Sequence, residues 1–168
     1  MEVMLYRTSN HKFILNREYY MKKLGTILIL ALLGFPLATF AAEHEVKMLN
    51  QGTDGLMVFE PGVLQIQPGD SVTFKATNPG HNAASMEGMI PAGAESWDSG
   101  MSKDITVIFS KEGTYVYQCT PHLMLAMVGI ITVGDPTSNL EQVRNASIAK
   151  KSAFLVEKDR LNGYLQRL

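Results

Sequence analysis

From Leu64 onward the chain alternates apolar and polar positions in short bursts, the period of two that turns one face of a strand toward a core. Leu64-Gln65-Ile66-Gln67 alternates before Pro68-Gly69-Asp70, and Val72-Thr73-Phe74-Lys75 resumes after that turn. Ile105 to Phe109 is a third run, Thr114-Tyr115-Val116-Tyr117 follows the turn at Glu112-Gly113, and Val128 to Val133 is a short β-branched apolar stretch. Several strands of this length, separated by Gly, Pro and Asp, predict a sandwich or barrel. The pattern changes after Pro136. Ser138 with Glu141 three residues on spells a capping box, and Leu161, Tyr164, Leu165 and Leu168 recur at helical spacing within the helix-forming stretch Ile148 to Leu168. A mainly β body with two short C-terminal helices packed on it is expected. The glycosylation pattern Asn145-Ala146-Ser147 falls in that tail and carries little weight, since three-residue matches arise by chance.

The N-terminal part follows neither period. Met21-Lys22-Lys23 precedes an apolar run from Leu24 to Phe40, and Ala41-Ala42 come just before the polar Glu43-His44-Glu45. Positive charge, apolar stretch and small residues in that order form a secretory signal peptide, here residues 21–42 with cleavage after Ala41 or Ala42. A membrane anchor would need an unbroken apolar helix of about 20 residues. Gly34 and Pro36 interrupt this one. Residues 1–20 show no periodicity and lie upstream of an adequate initiator at Met21, so they read as an over-called start or a dispensable extension. The expected organisation is thus that extension, the signal peptide, a sandwich over 43–135 and a helical extension over 136–168.

Composition narrows the function classes. A chain of 168 residues with 46% hydrophobic and 18% charged positions is not a disordered one, and 15 basic against 16 acidic side chains exclude a polycationic nucleic-acid binder. The length suits one compact domain and leaves no room for a large multidomain enzyme. Charge is unevenly placed: residues 43–135 hold four basic and eleven acidic side chains, residues 136–168 six basic and three acidic. Cys119 is the only cysteine, which excludes an intramolecular disulfide. A single thiol in an exported protein calls for protection, and metal ligation supplies it.

Chemistry gathers around that thiol. Cys119-Thr120-Pro121-His122-Leu123-Met124-Leu125-Ala126-Met127 places a thiolate, an imidazole and two thioethers on one loop between apolar strands. A second imidazole, His81, follows the Val72 to Lys75 strand in Asn78-Pro79-Gly80-His81-Asn82, where Gly80 is expected to permit a tight approach. One thiolate, two imidazoles and a weak thioether make the soft-to-borderline donor set of electron-transfer copper. Hard ions such as calcium or magnesium prefer oxygen donors. Taken singly, each residue has an ordinary explanation as a packed cysteine, a hydrogen-bonded histidine or a core methionine. Their joint occurrence does not. Spacing alone leaves Met124 and Met127 as alternatives for the thioether. His44 and His11 gain no such support.

At these residues the chain resembles the cupredoxins, and within them the pseudoazurins. The Cys-Thr-Pro-His segment with a methionine five positions beyond the histidine also resembles plastocyanin, whereas amicyanin has a shorter gap. Asp54-Gly55-Leu56-Met57-Val58-Phe59-Glu60-Pro61, Pro68-Gly69-Asp70, Gly80-His81-Asn82, Gly88-Met89-Ile90-Pro91 and the helical extension carry the resemblance to pseudoazurins over Glu43 to Leu168. It implies a cupredoxin-like Greek-key β-sandwich that binds one copper ion, cycling between Cu(I) and Cu(II), on His81, Cys119, His122 and Met127. It implies that Asn82 ties the His81 and Cys119 loops together and shields the sulfur, and that Pro121 and Met57 line an apolar rim where His122 reaches the surface.

The same resemblance implies a soluble, monomeric periplasmic electron shuttle with no enzyme activity and no stable membrane contact. Its expected redox partners are copper nitrite reductase or another terminal reductase, with a c-type cytochrome as a further candidate. One departure stands out. Lysines that commonly ring the copper end of such proteins are replaced here by Gln51, Thr53, Pro79, Glu87, Asp98 and Gln118. Docking through the apolar rim, or on a less acidic partner, is then expected. Two readings compete: a copper(I) carrier or store using Met48, Met57, Met86, Met89, Met124 and Met127, and a zinc-stabilised structural module built on the same ligands.

Overall fold

A computed structural model describes residues 41–168. The expected extension over 1–20, most of the expected signal peptide and His11 lie outside the described residues. Eight strands form two four-stranded sheets. Sheet A runs in the order β2 (Gly55–Glu60), β1 (Glu43–Gly52), β4 (Ser71–Lys75), β6 (Ile105–Ile108). Sheet B runs β3 (Val63–Ile66), β8 (Val128–Val133), β7 (Gly113–Gln118), β5 (Ala84–Ser85). Pairs β1–β4 and β3–β8 are parallel and the rest antiparallel. Parallel neighbours need connections that leave the sheet, as in the expected Greek-key sandwich.

Strand burial explains which elements the sequence pattern reveals. In β4, Val72 and Phe74 are fully buried while Thr73 and Lys75 face outward, where Thr73 and Thr106 hydroxyls meet at 2.8 Å and Lys75 Nζ pairs with Asp104 at 2.9 Å. In β8 all six residues are buried. Its inner face packs on sheet A and its outer face is covered by the tail. Strands β1, β2 and β5 are not foreseen by the periodicity. Only Val46 and Met48 alternate cleanly in β1, whose remaining positions are largely polar and solvated, so its strand state comes from pairing with β2 and β4 rather than from its own composition.

The tail forms α1 (Leu140–Lys150) and α2 (Arg160–Leu165), joined through a short 3-10 turn at Lys151–Ala153 and an irregular stretch. The first helix begins beside the expected cap, at Leu140, and the helix-forming stretch from Ile148 is broken before Arg160. The capping box at Ser138 does not form. Asn139 occupies the N-cap of α1 without capping it. Its amide is engaged elsewhere, accepting the Thr114 N–H at 2.7 Å and donating to the Thr114 carbonyl at 2.9 Å, while Ser138 Oγ donates to the Glu112 carbonyl at 3.3 Å. These side chains stitch the tail to β7, a tertiary partner that local sequence cannot announce. Among the described residues no helix is long and apolar enough to cross a membrane.

Candidate metal centre

Strands β7 and β8 bring the ends of one loop together. The Cys119 N–H donates to the Met127 carbonyl at 2.9 Å, directly beyond the Gln118–Val128 pair. Inside that closure the chain folds back on His122, whose N–H donates to the Cys119 carbonyl at 3.2 Å and whose own carbonyl accepts from Leu125 at 3.0 Å and Met127 at 3.2 Å. His81 comes from the loop after β4. Its carbonyl accepts the Ser102 N–H at 2.7 Å, and Ser102 Oγ accepts the Gly80 N–H at 2.8 Å. Gly80 is needed there for a different reason from the expected one. It lies at φ +89 with open space where a Cβ would sit, so conformation rather than clearance favours glycine.

Three donor atoms converge. His81 Nδ1 is 3.0 Å from His122 Nδ1, and Cys119 Sγ is 3.7 Å and 3.4 Å from those two nitrogens. A triangle of that size has a point about 2 Å from all three corners, the length of a metal–nitrogen bond. The donor set and its spacing fit copper. The distal His81 nitrogen, Nε2, lies 2.9 Å from Asn50 Oδ1. An amide oxygen can only accept, so that contact places the proton on Nε2 and frees the Nδ1 lone pair for the triangle. Asn50 is a site residue that the sequence reading missed.

Burial tunes the same atoms. Burial, followed by the neighbouring His122 imidazole, holds the His81 pKa below the ordinary histidine value, which favours the neutral, ligating ring. Burial also pushes the Cys119 thiol up, against the backbone N–H groups of Asn82 and His122, which draw it down. A bound cation reverses that balance and deprotonates the thiol outright. Asn82 links the two ligand loops: its Oδ1 accepts the Thr120 N–H at 2.7 Å, and its Nδ2 donates to Thr120 Oγ1 and Asp98 Oδ1, each at 3.0 Å.

The two methionine alternatives separate by burial. Met127 is 0% exposed in the core that also contains Cys119, whereas Met124 is 56% exposed and its carbonyl accepts from Leu155 and Val156. At the surface His122 is half-buried beside exposed Pro121, and Met57 is half-buried. His44 is engaged away from this cluster, its Nε2 3.0 Å from Asp70 Oδ2. The methionines of the storage reading are dispersed: Met48 lies in the core with Cys119, and Met86 and Met89 in another under the tail.

Residues 46–134 match the family model for copper binding proteins of the plastocyanin/azurin family. The chain belongs to this family, the cupredoxins: copper electron carriers rather than enzymes. Within it, relatives named pseudoazurin match over most of their length. A putative pseudoazurin of Rhizobium leguminosarum bv. viciae is 46% identical over 118 residues, covering 70% of this chain and 78% of the relative. Pseudoazurin of Paracoccus pantotrophus is 40% identical over 122 residues, 73% of this chain and 84% of the relative. Among solved structures, native pseudoazurin from Hyphomicrobium denitrificans superposes with a TM-score of 0.67 at 36% identity, covering 75% of this chain and 98% of that one. Pseudoazurin from Methylobacterium extorquens gives a TM-score of 0.65 at 38% identity, with 75% and 99% covered.

Proposed function

We propose that this protein is a periplasmic one-electron shuttle in which His81 Nδ1, Cys119 Sγ, His122 Nδ1 and the Met127 thioether would hold copper, and that it delivers electrons to a terminal reductase such as copper nitrite reductase. Copper supplies the change of valence between Cu(I) and Cu(II). The observation that carries the assignment is the compact triangle of two ring nitrogens and one buried sulfur, closed below by a β ladder. Each part of the chain has its task. Cys119 and the imidazoles supply donors acceptable to both oxidation states. The Cys119–Met127 main-chain bond and the Asn82–Thr120 bonds hold the loops still, so little has to move when an electron arrives. His122, half-buried while His81 is fully buried, is the ring through which the electron leaves. Four protein ligands leave no open position for substrate.

The docking surface we infer is apolar. Pro121, next to His122 in the chain, is exposed, Met57 is half-buried and Leu56 is 64% exposed. Gln51, Thr53, Pro79, Glu87 and Asp98 are exposed and offer no positive ring. Charge governs encounter rate more than final affinity, so association with an acidic reductase should depend only weakly on salt. A rate rising steeply at low ionic strength would contradict apolar docking.

Titration with copper(II) tests the site. An intense thiolate-to-copper band that bleaches with a mild reductant and returns on oxidation is expected, and Cys119→Ser should abolish it. Met127→Leu should keep the band and shift the potential, while Met124→Leu leaves both in place. The reverse result would move the thioether role to Met124. Rapid metal exchange without a reversible redox wave would favour a copper(I) carrier.

A further inference from the structure

Arg160 opens α2, yet it is only 8% exposed. Burying a charge is costly unless every donor is used. Among the described residues no carboxylate pairs with this guanidinium. Five main-chain carbonyls receive it instead. Nη1 donates to Met57 at 3.0 Å, Leu125 at 3.3 Å and Ala126 at 2.9 Å, and Nη2 donates to Asp54 at 3.3 Å and Leu56 at 3.2 Å. The nearby Asp54 carboxylate accepts from Tyr164 Oη at 2.8 Å.

Those carbonyls come from two places, Asp54 in the turn between β1 and β2 with Leu56 and Met57 at the start of β2, and Leu125 and Ala126 in the ligand loop just before Met127. Both segments enter left-handed backbone at the clasp, with Met57 in β2 at φ 49 and Ala126 in the ligand loop at φ 52. A residue with a Cβ resists that region and persists there only where its surroundings over-determine it. An apolar side chain at 160 would tie the tail down with less desolvation, and Leu161, Tyr164 and Leu165 already bury its apolar face. A planar fork aimed at two segments does something those residues cannot.

We propose that Arg160 is a positioning residue for the copper centre: it clamps the Leu125 and Ala126 carbonyls so that Met127 is presented at a fixed depth, and its unpaired positive charge favours the reduced metal. This rests on Met127 being a copper ligand. The clamp and the charge can be separated, because lysine keeps the charge but lacks the fork, and methionine lacks both.

Full-length Arg160→Lys, Arg160→Met and Leu161→Ala, loaded with copper at mildly acidic pH where a buried lysine stays protonated, would be compared with the unsubstituted protein. The ratio of the two visible thiolate-to-copper bands should change in both Arg160 variants, and the reduction potential of Arg160→Met should lie below that of Arg160→Lys. Amide exchange at Ala126 and Met127 in the metal-free protein should speed up at least tenfold in both, a readout that needs no copper. Leu161→Ala should melt earlier with an unchanged band ratio. Unchanged bands, potential and local exchange in Arg160→Lys, with only a lower melting temperature, would overturn the proposal. So would a Leu161→Ala spectrum that reproduces the Arg160→Lys change. Should Arg160→Met fail to fold, Arg160→Gln supplies the neutral arm. Failure of the ligand assignment looks different: Met127→Leu would then leave the potential of the unsubstituted protein unmoved.

Discussion

Two cores lie on either side of sheet B, and they differ in material. The inner core, between the sheets, is aromatic: Phe59 meets Tyr117 at 4.6 Å between ring centroids, Phe74 meets Tyr117 at 5.0 Å, and Phe109 meets Tyr115 at 5.1 Å, all edge to face. It contains Cys119 and Met127. The outer core, between sheet B and the tail, joins Met86, Met89, Val116, Ala126, Val128 and Ile130 to Val143, Phe154 and Leu161. Rings with few rotamers make a stiff wall, whereas thioethers and aliphatics adapt to whatever covers them. The chain around β8 serves both, since Met127, Ile131 and Val133 face inward while Ala126, Val128 and Ile130 face outward. A core rich in aromatic rings around the candidate site and a more aliphatic one under the tail are thus built from neighbouring residues.

The sharpest way to break this comparison is to remove the tail. Deleting residues 136–168 uncovers Val116, Val128 and Ile130 and releases the carbonyls held by Arg160. The shortened chain is expected to lose its cooperative thermal transition and to bind a hydrophobic dye. If it still melts cooperatively and takes up copper with an unchanged band, the inner core is self-sufficient and the outer one is an accessory.

Smaller lesions test whether the cores act on different properties. Phe154→Ala in the outer core and Phe74→Ala in the inner should each cost about 3–5 kcal/mol in denaturant unfolding, the usual range for emptying a buried phenylalanine site. Only Phe74→Ala should alter the copper spectrum, because Phe74 shares its cluster with Cys119 and Met127. Equal spectral changes would erase the functional distinction. Next in size is Asn139→Ala, which strands the buried N–H and carbonyl of Thr114 at the seam between tail and β7. A loss of about 1–3 kcal/mol follows from leaving such groups unpaired, read as a shifted denaturant midpoint at constant slope.

The same contrast explains what could be seen in advance. Strand β4 faces one core and water, so its alternation announced it. The run at β8 faces two cores, and its β-branched apolar residues announced it too. Neither rule reaches β1, whose polar positions become a strand only through its neighbours. At the candidate site, Cys119, His122 and the two methionines lie within nine residues and were legible as candidate donors, and His81 stood out beside its turn. Burial, which spacing does not report, is what favours Met127 over Met124. Asn50 was out of reach because it meets His81 only once β1 is laid down. Arg160 passed as one more charge in a basic tail, since the carbonyls that bury it come from two segments distant in sequence.

The mildest test concerns the edge that no tail covers. Asp70, in the turn between β3 and β4, accepts the Ala42 N–H at 2.8 Å and the Gln67 N–H at 2.9 Å, and lies 3.0 Å from His44 Nε2. The Gln67 and Ala42 amides, then His44, hold its carboxyl at about 2 against an ordinary 3.8. A depressed acid stabilises the folded chain above its unfolded pKa and loses that contribution as pH falls through the folded one. Asp70→Asn should therefore be less stable than the unsubstituted protein at neutral pH, and the gap should close between about pH 4 and pH 2. Thermal melts of both chains across that range measure it. Asp70 bonds the entry to β1 and sits where Ser71 begins β4, so the protection lost in acid should be that of sheet A amides, with those under the tail retained. A gap that persists unchanged below pH 2 would mean that Asp70 acts through shape alone, and a gap that opens in acid would reverse the sign of its role.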